Sequence, residues 1–227
     1  TQKLLPEGGQ LDRALTDALP WLEKATVLAP DNARYLADYG GTSLQFAAQN
    51  TSLGAATKGR DAMEKSLRLD PTNVDARVGL MQFYQRAPWP LGSSAKAAAQ
   101  LEEIRKLNPT LGTLWSVSLK TSAKDYVGAF KICEEGLAKN PADYMALYQY
   151  GRTASVSGQN LDLGLTRLQV CATLPEPGAS APGHSDVWNR IGNLHEQRAH
   201  PAEARAAYEA ALKLNPGNKA AAASLAK

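Results

Sequence analysis

Apolar positions in this chain recur at intervals of three and four, as in Ala204, Ala207, Tyr208, Ala211 and Leu214, and again in Leu11, Leu15, Ala18, Leu22, Ala25 and Leu28. That period places a single apolar stripe along each helix. No stretch of useful length alternates apolar and polar residues with period two, so the pattern predicts helices and no sheet. The helical stretches are punctuated by Pro30, Pro71, Pro109, Pro141, Pro175 and Pro216, which lie 32 to 41 residues apart. Proline disfavours helical geometry at the residue before it, so each marks the end of a helix. A unit of about 34 residues, repeated with insertions, predicts stacked two-helix repeats.

The repeats can be followed residue by residue. The last contains Trp188, Ile191, Gly192 and His195, then Ala204, Tyr208, Ala211 and Pro216. The one before it has Leu147, Tyr150, Gly151 and Ala154, then Gly164, Leu168, Cys171 and Leu174. Earlier units are more degenerate: Leu36, Tyr39 and Gly40 with Gly59, Met63 and Ser66; Leu80 and Tyr84 with Ala97, Leu101 and Ile104; Trp115 with Ala129, Cys133 and Gly136. This pattern resembles the tetratricopeptide repeat, in which small residues let two antiparallel helices approach while larger ones fill the space beside them. The resemblance covers residues 11 to 227 and implies an all-α, right-handed solenoid of helical hairpins.

The expected organisation is a loose leader over 1–10, a partial unit over 11–30, and repeats over about 31–71, 72–109, 110–141, 142–175 and 184–216. A cap helix over 217–227 follows. Pro20 is expected to start or kink a helix within the partial unit. Two insertions, around Asn50–Gly54 and Ala87–Gly92, are expected to project between the helices of their repeats, and a third over Glu176–Gly183 lies between repeats. Taken together these features resemble exported bacterial repeat proteins. Periplasmic or secreted placement would follow if a signal peptide preceded Thr1.

Composition adds exclusions. The chain has 227 residues, 44% hydrophobic and 21% charged, and no apolar run reaches the roughly 18 residues of a membrane helix. A net charge of +3 and a pI of 8.8 argue against a dedicated nucleic-acid domain, for which a pI above about 9 is expected. Cys133 and Cys171 sit at packing positions and read as free thiols. With three histidines they show no zinc spacing, so no metal or cofactor is expected. Phosphate-loop, dinucleotide and nucleophile-elbow motifs are absent, and no catalytic residue is assigned.

What remains is binding. First-helix residues of such repeats line the concave face. Here they include Arg34, Asp38, Gln82, Ser116 and Lys120, and, most densely, Tyr148, Gln149, Arg152, Asn189, Arg190 and Asn193. The last six are the candidate peptide-binding residues, with the two arginines suited to a carboxylate. Within the resembled family, the clamp for acidic chaperone tails needs lysine, asparagine, asparagine, lysine and arginine at set places. Those places hold Ser116, Lys120, Gln149, Asp186 and Arg190, so only the arginine is kept. The expected function is a non-enzymatic scaffold for a protein or peptide partner. An accessory module of a larger enzyme and a self-assembling repeat protein are the alternatives.

Overall fold

In the computed structural model, the described residues are 7–176, 178 and 181–226, with side chains described from residue 13. All regular structure among them is α-helical, as the three-four periodicity predicts. Helices α1 (Glu7–Leu28), α2 (Ala33–Asn50), α3 (Leu53–Leu69), α4 (Val74–Arg86) and α5 (Ser94–Leu107) are followed by α6 (Pro109–Ser122) and α7 (Tyr126–Lys139). Then come α8 (Tyr144–Ser157), α9 (Leu161–Cys171), α10 (His184–Gln197), α11 (Pro201–Leu214) and α12 (Lys219–Leu225). The chain divides into two compact units, Thr1–Pro109 and Thr110–Lys227.

A short motif links helix to helix. After Pro30, Pro71, Pro141 and Pro216, the residue two places on is Asn32, Asn73, Asp143 or Asn218. Its side chain accepts a hydrogen bond from a backbone amide in the first turn of the next helix. Each such cap contributes about 1 kcal/mol, so one tripeptide both ends a helix and starts its successor. Pro109 breaks the rule. No Asn or Asp follows two places later, and Pro109 itself opens α6 after the single residue Asn108. Proline suits that first position because its missing amide has no helical partner there.

In the first unit, α1 lies on α2 through Leu19 and Leu22, which pack against Leu36, Tyr39 and Ala62. Lys58 of α3 donates to Glu23 of α1 at 2.9 Å, and the Tyr39 hydroxyl reaches the same carboxylate at 3.3 Å. Three sequence expectations change here. The expected start near Leu11 moves to Glu7, and residues 1–6 of the leader lie outside the described residues. Pro20 lies inside one continuous helix, because Leu15, Leu19 and Leu22 are held on a single packed face that runs past it. The first insertion forms no projecting loop. Its extra residues lengthen α2 and α3, and only Thr51, in left-handed conformation, and Ser52 make the turn. The second insertion is a true loop, with Trp89 at its tip 89% exposed.

The second unit holds the larger core, in which Val117, Phe130, Cys133, Met145, Leu147, Tyr150, Leu168, Ile191 and Leu194 are all buried. Gly151 and Gly192 set how closely paired helices approach. A Cβ at Gly151 would lie 2.2 Å from Leu168 Cγ, and one at Gly192 would lie 2.4 Å from the Tyr208 ring. Nothing larger fits unless the Leu168 or Tyr208 side chain gives way. Cys133 and Cys171 are both free and buried, and burial raises each thiol to about 12, so neither is a ready nucleophile.

Candidate functional site

Helices α8 and α10 are the first helices of consecutive repeats, and they present the candidate residues side by side. Burial of α8 extends nearly all round it: every residue from Tyr144 to Ser155 except Arg152 is buried. Tyr148 and Gln149 are therefore interior groups, as is Asn189 on α10, whereas Arg152, Arg190 and Asn193 are half-buried.

The arrangement is electrostatically unusual. Arg190 lies beside the Tyr148 phenol, whose ionisation burial pushes upward and the nearby positive charge of Arg190 opposes. Burial, and then the positive charge of Arg190 beside it, holds the Arg152 guanidinium below its ordinary value. Nη1 of Arg152 is buried with no hydrogen-bond partner among the described residues. No carboxylate among those residues forms an ion pair with Arg152 or Arg190. Asp186, one turn before Arg190, accepts from the Gly183 amide at 3.2 Å and closes the start of α10. Two guanidinium groups thus share one partly dry wall of the unit.

The remaining candidates have structural partners or lie too deep to touch a ligand. Asn193 Oδ1 accepts from the Tyr208 hydroxyl at 2.9 Å, across the α10–α11 hairpin. Gln149 is wholly buried, its amide 3.8 Å from Met145 Sδ and its Oε1 unsatisfied, and Asn189 Oδ1 is unsatisfied too. Thr153, which sequence reasoning passed over, is also wholly buried with an unpaired hydroxyl, one turn along α8 from Gln149. Two polar residues spaced by four on an otherwise apolar helix were the available signal. Of the other family-clamp positions, Ser116 is buried and bonds back to Gly112 O at 2.6 Å, and Lys120 pairs with Asp125 at 2.7 Å. No chaperone-tail clamp assembles from them.

The first unit offers a separate open groove of about 410 Å³, lined in part by Tyr84, Arg77, Lys96 and Gln100. Two of its cations are already engaged: Arg77 donates to Pro71 O and to Gln100, and Lys96 sits 5.2 Å above the Tyr84 ring, while Arg68, which also lines the groove, is exposed.

Comparison with known proteins agrees with this architecture. Residues 185–218 match the family model of the tetratricopeptide repeat. No curated protein matches the chain. Among solved structures, the Cut9–Hcn1 hetero-tetramer of APC/C superposes with a TM-score of 0.59 at 15% identity, covering 97% of this chain and 39% of that one. PilW, a type IV pilus biogenesis factor, gives a TM-score of 0.56 at 13% identity over 98% of this chain and 100% of its own. A repeat protein from Parabacteroides merdae gives 0.54 at 13% identity, over 96% and 97%. At such identities the likeness is one of fold.

Proposed function

We propose that this chain, which has the tetratricopeptide fold and a recognisable tetratricopeptide repeat at 185–218, is a non-enzymatic scaffold that binds a protein or peptide partner. The contact is made at the α8–α10 wall, where Arg152 and Arg190 receive a carboxylate of the partner. One observation carries this reading: two neighbouring, half-buried guanidinium groups, neither of which forms an ion pair with a carboxylate of the described residues. An arginine cannot shed its proton to relieve such a site, and like charges in a partly dry setting raise each other's cost. A bound carboxylate removes both penalties through charge-assisted hydrogen bonds. Tyr148 orients Arg190 from beneath, and Gln149, Asn189 and Asn193 act as the polar floor behind the arginines. No described helix is long and apolar enough to cross a membrane.

The test is calorimetric titration with extended peptides that contain glutamate and with their glutamine counterparts. Glutamate peptides should bind, the glutamine series should not, and raising salt should weaken the complex. Arg152→Glu with Arg190→Glu should abolish binding while circular dichroism and melting stay essentially unchanged, with Arg152→Gln as the milder control. Unaltered affinity in the folded double variant would move the site elsewhere, first to the loop around Trp89.

A further inference from the structure

The open groove of the first unit is built by α3, α4 and α5. Helix α4 contributes its packing positions Leu80 and Tyr84, and Gln82, which the sequence assigns to the concave face, is not among the lining residues. The groove is therefore not the surface that first helices present to a ligand. Its charge sets it apart: three cations, Arg68, Arg77 and Lys96, line it with one carboxylate, Glu64.

That carboxylate is committed. Glu64 accepts from the Tyr84 hydroxyl and lies in the field of Arg60, which pairs with Asp61 at 2.6 Å. The cations, in contrast, meet only neutral groups. Arg77 is half-buried, and its guanidinium donates to Pro71 O from Nε at 3.0 Å and from Nη2 at 2.6 Å, and to Gln100 Oε1 from Nη1 at 3.1 Å. Carbonyl oxygens fix the orientation of this guanidinium without cancelling its charge. Glu103, whose charge reaches Arg77, is paired with Lys106 at 2.8 Å. Lys96 and Arg68 are exposed, and neither forms an ion pair among the described residues. Because Gln100 Oε1 accepts from Arg77, the Gln100 amide nitrogen is left as a further donor, with no partner among the described residues.

We infer that this groove is a second binding site, which takes an acidic segment of a partner protein in which carboxylates flank an apolar side chain. The apolar side chain lies over Leu67, Leu80 and Ala99, and the carboxylates meet Arg77 and the two exposed cations. A volume of about 410 Å³ is at the small end of ligand pockets and suits one or two side chains. Arg77 is already held in place, so a charge-assisted bond to it costs little side-chain freedom. A nucleic acid fits less well. Three cations fall short of the phosphate contacts of a nucleic-acid groove, and Tyr84 is buried beneath Lys96, so no aromatic face is open for a base to stack on.

The test uses the full 227-residue chain carrying Arg152→Glu and Arg190→Glu, which removes the α8–α10 wall as a source of binding. The probes are the blocked pentapeptide Glu-Glu-Leu-Glu-Glu, its counterpart with four glutamines, and its counterpart with a central alanine, followed by calorimetry and by amide NMR. The first peptide should bind and shift the Gln100 side-chain amide together with backbone amides of α3, α4 and α5, and it should shift the same signals in the wild type. The glutamine peptide should bind at least about tenfold more weakly, and the alanine peptide more weakly than the first. Arg68→Glu and Lys96→Glu, at exposed positions that leave the melting temperature unchanged, should each weaken the first peptide by about tenfold. Four outcomes overturn the inference: no binding at about 1 mM peptide, equal affinity for the glutamine peptide, shifts confined to helices other than α3–α5, or tighter binding of a short single-stranded DNA. Each leaves the proposal for Arg152 and Arg190 standing, because both arginines are already reversed in the chain tested.

Discussion

Tyr208 is the residue at which the repeat pattern becomes a measurable energy. Its side chain is 3% exposed, packs with Ala204, Ala211, Ala221 and Trp188, and lies flat against the place where Gly192 has no Cβ. Its hydroxyl lies 2.9 Å from both Asn193 Oδ1 and Glu196 Oε2 and donates to one at a time. Burial, reinforced by Glu196, pushes its pKa up to about 12, which keeps it neutral and donating at ordinary pH. Truncating a buried aromatic to alanine costs about 3–5 kcal/mol in lost burial and residual cavity. The hydroxyl accounts for less. Asn193 is half-buried and Glu196 exposed, so water can replace the lost donor, and Tyr208→Phe should cost about 0.5–1.5 kcal/mol. Glu209, the next residue, pairs with Arg205 at 3.0 Å with its side chain 56% exposed. Such an i,i+4 pair is worth about 0.3–0.5 kcal/mol. At 2–4 °C per kcal/mol for a chain of this size, Tyr208→Ala should lower the melting temperature by roughly 6–20 °C and Glu209→Ala by less than about 2 °C. Thermal and urea melts by circular dichroism read the loss, and amide exchange in α10 and α11 should accelerate with it. Equal losses at the two positions would refute the helix register. A Tyr208→Phe loss as large as that of Tyr208→Ala would show that polar contacts, and not the ring, carry the packing.

Burial, followed by the positive charge of Arg198, lowers the pKa of His195 below its usual 6.5, so the unfolded chain binds the proton more readily. Stability should therefore be fully present above about pH 6.5 and decline as pH falls from there towards the folded pKa; His195→Tyr should remove that part of the pH profile, and an imidazole titrating above 6.5 by NMR would contradict it. Trp89, 89% exposed, should contribute red-shifted, quencher-accessible emission that Trp89→Phe removes, leaving that of Trp21; unchanged quenching in the variant would place the Trp89 side chain under cover.

The helical periodicity, the proline-ended units and the small-to-large pairing of Gly192 with Tyr208 could all be read from the residues. The first two are local facts, which depend on spacing within one helix or on a turn motif such as Pro216-Gly217-Asn218, whose cap acts three residues on; the third follows from the repeat pattern that the residues resemble. What a neighbouring element covers could not be read in that way. The stripe of α1 looks on paper like that of any second helix, and only the structure shows Trp21 uncovered. Helix α8 looks amphipathic, with Tyr148, Gln149 and Arg152 on its wet side, yet burial all round it turns the first two into interior groups and leaves Arg152 as the reachable one. Asn193 follows Gly192 just as Arg152 follows Gly151, but the Tyr208 hydroxyl claims it. Pro20 and the first insertion show the same division: a proline predicts a break and extra residues predict a loop, until packing along a continuous face makes the longer helix the lower state. Sequence therefore determines the helical periodicity and the capped turns at the repeat prolines, because those energies are local. Tertiary structure determines which faces stay dry or open, because burial belongs to neighbours that lie far away along the chain.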